Sequence, residues 1–206
     1  MVKNKPVYSF EEADSKNRML LGGKGAGLSE MTRLKLPVPA GFTITTEVCN
    51  KYYDNNKKLP KDLMPAVMKN IAKMEKKTGK KWNSIKNPLL VSVRSGAATS
   101  MPGMMDTILN LGLNEQTVEG FAEQTKNPRF SWDSYRRFIQ LFGKVVFGVN
   151  DEKFDHVLDA VKEKQGITDD SKLNVESLKT IVLEYKKICE KHTKRKFPDT
   201  PDEQLV

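Results

Sequence analysis

A glycine-rich stretch with one lysine is the first part of the sequence that could do chemistry. Residues 22–27 (GGKGAG) place Lys24 among glycines, whose backbone can approach a ligand closely. The stretch is predicted to be a flexible turn before a helix carrying Leu28, Met31 and Leu34, and the N-terminus of a helix favours anions. It lacks the spacing of a Walker A loop and of a complete dinucleotide fingerprint. The pattern fits a phosphate-binding turn and, equally well, a structural turn with a solvated lysine.

The second candidate is an arginine in a stretch that is almost free of charge. Across residues 89–112 only Arg94 and Asp106 are charged. Arg94 ends the apolar run 89–94, which predicts a strand buried on both faces, where a guanidinium without a partner would be costly. The loop at 95–103 offers small side chains, hydroxyl donors and flexible backbone, and such a loop can wrap a phosphate. The structural alternative is an Arg94–Asp106 ion pair that holds the turn.

Strands and helices alternate in the first half of the chain, where they would position both candidates. β-Branched and apolar residues predict strands at residues 8–10, 41–46, 89–94 and 107–111. Helical spacing predicts helices at 47–53 and 63–74, and Pro65 is tolerable only in the first turn of the second one. From Asn114, which can cap a helix, through Ile188 the apolar stripes are all helical. The fold is therefore predicted to be α+β, with a helical second half.

These elements predict three parts of the chain. An α/β part is expected at residues 1–112, a helical subdomain at 113–197, and a linker with the start of a helix at 198–206. In the last part Thr200 can cap a helix that has Pro201 at its first position and Glu203 at its third. Because the sequence stops within two turns of this signal, we expect the chain to be a piece of a longer protein.

Composition excludes several classes of protein. The 206 residues are 38% hydrophobic and 30% charged, which is globular and neither disordered nor collagen-like. No apolar run approaches the ~20 residues that span a bilayer, and the N-terminal residues lack the apolar core of a secretory signal. Two cysteines in such a chain favour free thiols in a reducing compartment, so a cytoplasmic location is expected.

Two basic clusters contribute to the net charge of +9. Nine lysines lie at residues 57–81 and six basic residues at 186–196. A nucleic-acid or polyphosphate surface is one interpretation. We favour the other, solvated helix faces, because neither cluster interleaves aromatic residues for base stacking. The remaining reactive side chains lack a ligand spacing, an activating base or a motif, and we expect surface or packing roles for them: His156, His192, Cys49, Cys189, Met101, Met104 and Met105.

Six motifs, two of which contain the candidate cations, resemble a known family. Residues 20–31 (LLGGKGAGLSEM), 39–47 (PAGFTITTE) and 90–97 (LVSVRSGA) are similar to the start of the dikinases that make phosphoenolpyruvate. Residues 99–112 (TSMPGMMDTILNLG), followed by NPRF and DSYRRF at 127–138, resemble the pyruvate, phosphate dikinase branch in particular. The resemblance runs over nearly the whole chain.

The resemblance implies a fold and a reaction. The fold would be an ATP-grasp nucleotide-binding fragment with a mixed sheet, followed by a helical subdomain. In such enzymes ATP gives its β,γ-pyrophosphoryl group to a histidine on a separate swivelling domain. Inorganic phosphate then takes the terminal phosphoryl group, and a further domain passes the remaining one to pyruvate.

The resemblance also implies site residues and partners. Lys24 and Arg94 would be the catalytic cations that grip the ATP phosphates, and the loop near Gly103 would cover them. Further ATP contacts are expected from three residues of the same loop region: Thr99, Ser100 and Asp106. Mg²⁺ would be needed, with its ligands outside this chain. The expected partners are ATP and the remaining dikinase domains, in a full-length homo-oligomer, with no membrane contact and no nucleic acid.

Two alternatives remain open beside an ATP-binding piece that is inactive on its own. The chain could be a stand-alone nucleotide-binding or regulatory protein without catalysis. It could also be a basic nucleic-acid-binding domain that uses the lysines at 57–81.

Overall fold

The computed structural model describes residues 4–96 and 106–206, which form two compact units. One unit contains residues 4–80 and 95–96, and the other contains residues 81–94 and 106–206. These bounds differ from the three parts at 1–112, 113–197 and 198–206 expected from the sequence, and that division stays a prediction.

The first unit combines a short two-stranded sheet with three helices. Its elements are β1 (Val7–Ser9), α1 (Arg18–Arg33), β2 (Phe42–Ile44), α2 (Thr46–Asp54) and α3 (Leu63–Thr78). β1 and β2 are antiparallel, with Val7 opposite Ile44. α3 buries Leu63, Val67 and Ile71 on one face, and Pro65 lies in its first turn, where the missing N–H group costs no helical hydrogen bond. The predicted strands and helices of this unit are confirmed, except at the glycine stretch.

The second unit is a helical layer that carries one pair of strands. Its elements are β3 (Val91–Arg94), β4 (Thr107–Leu111), α4 (Thr117–Thr125), α5 (Pro128–Val145), α6 (Glu152–Lys164), a 3-10 turn (Asp170–Lys172), α7 (Val175–Thr193) and α8 (Pro201–Gln204). α5 and α7 form the centre of its core, where Tyr135, Phe138 and Ile181 are fully buried. The helical stripes predicted from the sequence are therefore confirmed as core-facing.

The α+β class is confirmed, but the expected mixed sheet is wrong for the described residues. The four strands form two separate antiparallel pairs, β1–β2 and β3–β4. The long connections on either side of α1, at residues 10–17 and 34–41, let the chain enter β2 antiparallel to β1. Two further helices then separate β2 from β3, which pairs only with β4.

The predicted burial of the strand at 89–94 on both faces is also wrong. In β3, Val91 is half-buried, while Ser92, Val93 and Arg94 are exposed. A strand in a two-stranded pair has a free edge, and here β4 supplies the buried contacts through Ile108 and Leu111. The apolar residues at 89–91 and 93 therefore suggested a deeper burial of this strand than the structure shows.

Candidate phosphate-binding site

Lys24 lies in a helix rather than in the flexible turn predicted for residues 22–27. Only Gly22 leaves helical geometry (φ 70°, ψ 167°), and this break divides α1 into two helical segments. Glycine tolerates such a left-handed φ without the penalty that a Cβ would bring. Lys24 therefore falls in the first turn of the second segment, where backbone N–H groups point towards the helix start.

The second segment of α1 packs closely against β2. A Cβ on Gly25 would lie 2.8 Å from both Cγ2 and Oγ1 of Thr43, so a larger residue there would force the Thr43 side chain or one of the two elements to move. Met31 and Leu34, whose spacing predicted this helix, are 38% and 56% exposed. The buried side chains of α1 are instead those of Leu20, Leu21, Ala26 and Ser29.

Side-chain hydrogen bonds fix both ends of α1. The Asn17 side chain accepts from the Leu20 amide at 3.2 Å, and the Thr46 hydroxyl donates to the Met19 carbonyl at 2.6 Å. Near the other end, Arg33 and then Ser15 hydrogen-bond Glu30 and lower the pKa of its carboxyl to about 2. This carboxylate is thus occupied, and within the described part of the chain Lys24, which is half-buried, makes no ion pair.

Arg94 lies at the exposed end of β3. It is opposite Thr107, so the β3–β4 pair presents Arg94 beside the loop that joins the two strands. The cost of burying a guanidinium does not apply here, because Arg94 is exposed to solvent. Among residues 4–96 and 106–206, no ion pair joins Arg94 to a carboxylate, Asp106 included. Asp106 itself is exposed at the start of β4.

Several predicted contacts lie outside the described residues. Thr99, Ser100 and Gly103 belong to residues 97–105, as do the three methionines at 101, 104 and 105. Lys24 and Arg94 belong to different compact units. The structure therefore gives each cation its local support, and their joint action on one ligand stays a prediction.

Most side chains of the two basic clusters are exposed to solvent, although several of their lysines form ion pairs. Lys73 and Lys77 on α3 form ion pairs with Glu12 and Glu11, which follow β1. In the second cluster Lys186 is buried and donates to Asp199 at 2.8 Å and Glu115 at 3.0 Å. Sequence reasoning missed this buried lysine, although its position on the apolar face of α7, one residue after Tyr185, was a usable signal.

A second buried ionic group lies on α5. Arg136 is 3% exposed and donates to Asp133 at 2.7 Å and 2.9 Å. Burial opposes ionisation of Asp133, but Arg136 and Arg137 outweigh it and lower the pKa of this carboxyl. Sequence reasoning missed this burial too, since the pair looks like any other helical i,i+3 contact.

The histidines and cysteines lie in surface or packing positions, as expected from the sequence. His156, His192 and Cys49 are exposed, while Cys189 is buried, which raises the pKa of its thiol to about 12. In residues 4–96 and 106–206 no group of three or more His, Cys, Asp or Glu could hold a metal ion. No helix in the same ranges is long and apolar enough to cross a membrane.

The chain is similar to the nucleotide-binding part of a family of dikinases. A family model described as the pyruvate phosphate dikinase AMP/ATP-binding domain matches residues 18–58 and 55–191. The pyruvate, phosphate dikinase of Entamoeba histolytica is 52% identical over 199 residues, covering 97% of this chain and 22% of that protein. Those of Clostridium symbiosum and Giardia intestinalis are 48% and 51% identical, with 97% of this chain and 23% of each relative covered. The chain thus spans less than a quarter of the length of these relatives.

Proposed function

The chain belongs to the pyruvate, phosphate dikinase family through its AMP/ATP-binding domain, and we propose that it supplies the cations that hold the ATP phosphates in such an enzyme. The observation that carries the proposal is the placement of Lys24. A cation in the first turn of a helical segment, without a carboxylate partner in the described residues, is arranged to meet a phosphate.

Arg94 is the second phosphate-binding residue in this proposal. Its guanidinium is exposed at the end of β3, where it can donate several hydrogen bonds to one phosphate in a planar, bidentate geometry. Thr99, Ser100 and Gly103 remain proposed contacts around the same phosphates, and Asp106 remains a proposed ATP-binding residue.

Phosphoryl transfer depends mainly on positioning and on neutralising charge, which is the part that these residues can perform. Lys24 and Arg94 would bind and orient the triphosphate and offset its negative charge. The phosphohistidine and pyruvate steps would belong to other domains of a complete enzyme. We therefore expect the isolated chain to bind nucleotide weakly and to produce no AMP or pyrophosphate. Appearance of both products from ATP and phosphate with this chain alone would refute that expectation.

Mg²⁺ enters the proposal only as a requirement of the complete enzyme. Among residues 4–96 and 106–206 no group of three or more His, Cys, Asp or Glu could hold a metal ion without the nucleotide. Its ligands would come from parts of a dikinase that this chain does not include.

An ATP titration of the 206-residue chain tests the proposal directly. Lys24→Ala and Arg94→Ala should each weaken binding about tenfold or more, since a charge-assisted hydrogen bond contributes about 1.5–3 kcal/mol. Lys69→Ala and Arg195→Ala are matched controls, because both remove an exposed cation from the same unit as the residue under test. Both controls should bind as the wild type does.

Two results would contradict the proposal. One is saturable ATP binding that neither Lys24→Ala nor Arg94→Ala weakens beyond the controls. The other is the absence of saturable ATP binding by the folded chain, with or without Mg²⁺. Binding of a polynucleotide that survives both substitutions and weakens steeply with salt would instead support the nucleic-acid alternative.

A further inference from the structure

Residues 197–206 hydrogen-bond both the segment that precedes β3 and the segment that follows β4, at the same end of the strand pair. Residues 197–206, here called the clasp, contain α8, whose start is fixed by a capping box between Thr200 and Glu203. Gln204, at the end of α8, is 5% exposed although it is fully polar. A buried amide in so short a helix needs hydrogen-bond partners, and all of its partners are backbone groups.

Gln204 of the clasp binds the segment that directly follows β4. The Gly112 amide donates to Oε1 of Gln204 at 2.9 Å, and Nε2 of Gln204 donates to the Leu113 carbonyl at 3.0 Å. Gly112 directly follows β4 and has a φ of 109°, so this bond fixes the point where the chain leaves the strand. Without Gln204, a buried donor and a buried acceptor would lose their partners.

Asp202 of the clasp binds the segment that precedes β3. Nε1 of Trp82 donates to Oδ1 of Asp202 at 2.8 Å. Trp82 lies next to the entrance of β3, because the Leu89 amide donates to the Lys81 carbonyl at 2.7 Å and so closes the intervening loop. The segment before β3 and the segment after β4 are therefore both hydrogen-bonded to α8, a helix of four residues.

The clasp is itself anchored to the helical core. Phe197 is 3% exposed and packs on the rings of Phe138 and Phe142, with centroid distances of 6.2 Å and 5.4 Å. Lys186 of α7 donates to Asp199 at 2.8 Å. The Asn114 side chain donates to the Asp199 carbonyl at 2.9 Å. A displacement of α8 would have to break these contacts as well.

Arg94 lies at the opposite end of the same strand pair. It is opposite Thr107, while Val91 is opposite Leu111 beside the clasp. With about 3.3 Å per residue, the Arg94–Thr107 end of the strand pair is about 16 Å from Gly112. A tilt of the pair by about 5° at Gly112 would therefore move that end by about 1.4 Å. A hydrogen bond to phosphate does not survive a displacement of that size.

We propose that Gln204 and Asp202 are positioning residues for Arg94. The clasp fixes the base of the β3–β4 pair and thereby sets where the Arg94 guanidinium meets an ATP phosphate. Neither residue touches the nucleotide in this proposal. The inference rests on the proposed function, since it assumes that Arg94 binds phosphate.

A double-mutant cycle with ATP titration of the full chain tests the positioning role. Gln204→Leu should weaken ATP binding about tenfold, as expected when a charge-assisted contact is lost. In the Arg94→Ala background it should cause no further loss, because the misplaced group is already absent. In the Lys24→Ala background the full loss should remain. Equal losses with and without Arg94, or no loss where Arg94→Ala weakens binding, would overturn the inference.

Further variants separate positioning from general destabilisation. Asp202→Ala and Trp82→Phe break the second contact without leaving the Gln204 partners unsatisfied, and both should weaken ATP binding through Arg94. Asp202→Asn retains the Oδ1 acceptor and should restore wild-type affinity. Val157→Ala removes apolar atoms from α6 and should leave ATP affinity unchanged. Weaker binding by this control would indicate that any loss of stability suffices, which contradicts a positioning role.

Amide hydrogen exchange without ligand keeps the inference testable apart from ATP. Exchange of the β3 and β4 amides should quicken about tenfold in Gln204→Leu and not in Val157→Ala, since two-stranded pairs are marginal without support. Unchanged exchange would overturn the clasp itself. Faster exchange, combined with ATP binding that ignores Arg94→Ala, would instead mean that the clasp holds the strands while the assignment of Arg94 to phosphate is wrong.

Discussion

The close contact between α1 and β2 leads to a prediction about the support of Lys24. Gly25→Ala places a methyl group 2.8 Å from both Cγ2 and Oγ1 of Thr43. Favourable contacts between such atoms begin at about 3.5 Å, so the Thr43 side chain must rotate out of its position, or the helix and the strand must move apart by about 0.7 Å. Lys24 is adjacent in sequence and moves with the helix. The substitution should therefore disturb both stability and the position of this cation.

The expected magnitude follows from two opposing contributions. Overpacking of this kind costs about 1–3 kcal/mol. Replacing glycine by alanine inside a helix returns about 0.8–1.0 kcal/mol. Gly27→Ala in the same helical segment receives only the second contribution, because a Cβ on Gly27 would meet no neighbouring atom within 4 Å. The difference between the two variants should therefore be about 1–3 kcal/mol, with Gly27→Ala more stable than the wild type.

Hydrogen exchange of the α1 and β2 amides is a suitable assay. Both tryptophans, Trp82 and Trp132, belong to the other compact unit, so fluorescence would not report on this contact. Thr43→Ala removes both close atoms and leaves Cβ at 3.3 Å, so the double variant with Gly25→Ala should regain most of the lost protection. If Gly25→Ala protects α1 as well as Gly27→Ala does, the helix does not pack on β2 at this distance and the reasoning fails.

Three further predictions concern the second unit and the thiols. Gly120→Ala should destabilise by more than about 3 kcal/mol in urea unfolding, because its Cβ would lie 1.4 Å from the Ile85 carbonyl oxygen and backbone cannot swing aside. Cys49 should react with a thiol reagent at neutral pH in the native chain, whereas Cys189, whose pKa burial raises to about 12, should react only on unfolding. Asp133→Asn should cost about 3 kcal/mol at neutral pH, since it removes the nearer carboxylate of the buried Arg136 and leaves Asp170 at 3.8 Å. The folded-state pKa of Asp133 is lowered, so its contribution is complete above the ordinary aspartate pKa of about 3.9 and is lost as pH falls through the folded value, and acid titration of stability in both proteins checks this.

Local rules sufficed where a residue acts on its own backbone. The predicted cap of Thr200, with Pro201 and Glu203, forms the capping box of α8, and Pro65 lies in the first turn of α3 as expected. Asn114 accepts from the Gln116 and Thr117 amides before α4. In each case the signal and its hydrogen-bond partner lie within a few residues, so the sequence window contains the whole cause.

Sequence reasoning failed where the decisive contact is distant. The glycine stretch is typical of a flexible turn, yet Gly25 lies in a helix packed closely against Thr43, and nothing in residues 22–27 indicates that contact. The run at 89–94 is typical of a buried strand, yet its exposure depends on how few strands lie beside it. Gln204 showed no signal at all, because its partners are backbone groups some ninety residues away. The sequence proposed the two candidate cations from their immediate neighbours, but it did not indicate the distant groups that pack against or hydrogen-bond the elements that carry them.

The supports of the two cations predict a crosswise pattern in ATP binding. Gly25→Ala should lose its effect on affinity when Lys24 is already alanine, and Gln204→Leu when Arg94 is, because each variant acts by moving one cation. Conversely, Gly25→Ala should keep its full effect in the Arg94→Ala background. Titrations of the four double variants decide the matter. If Gly25→Ala or Gln204→Leu weakens ATP binding equally in both backgrounds, that variant acts through general stability. The claim that it acts by moving one cation would then be wrong.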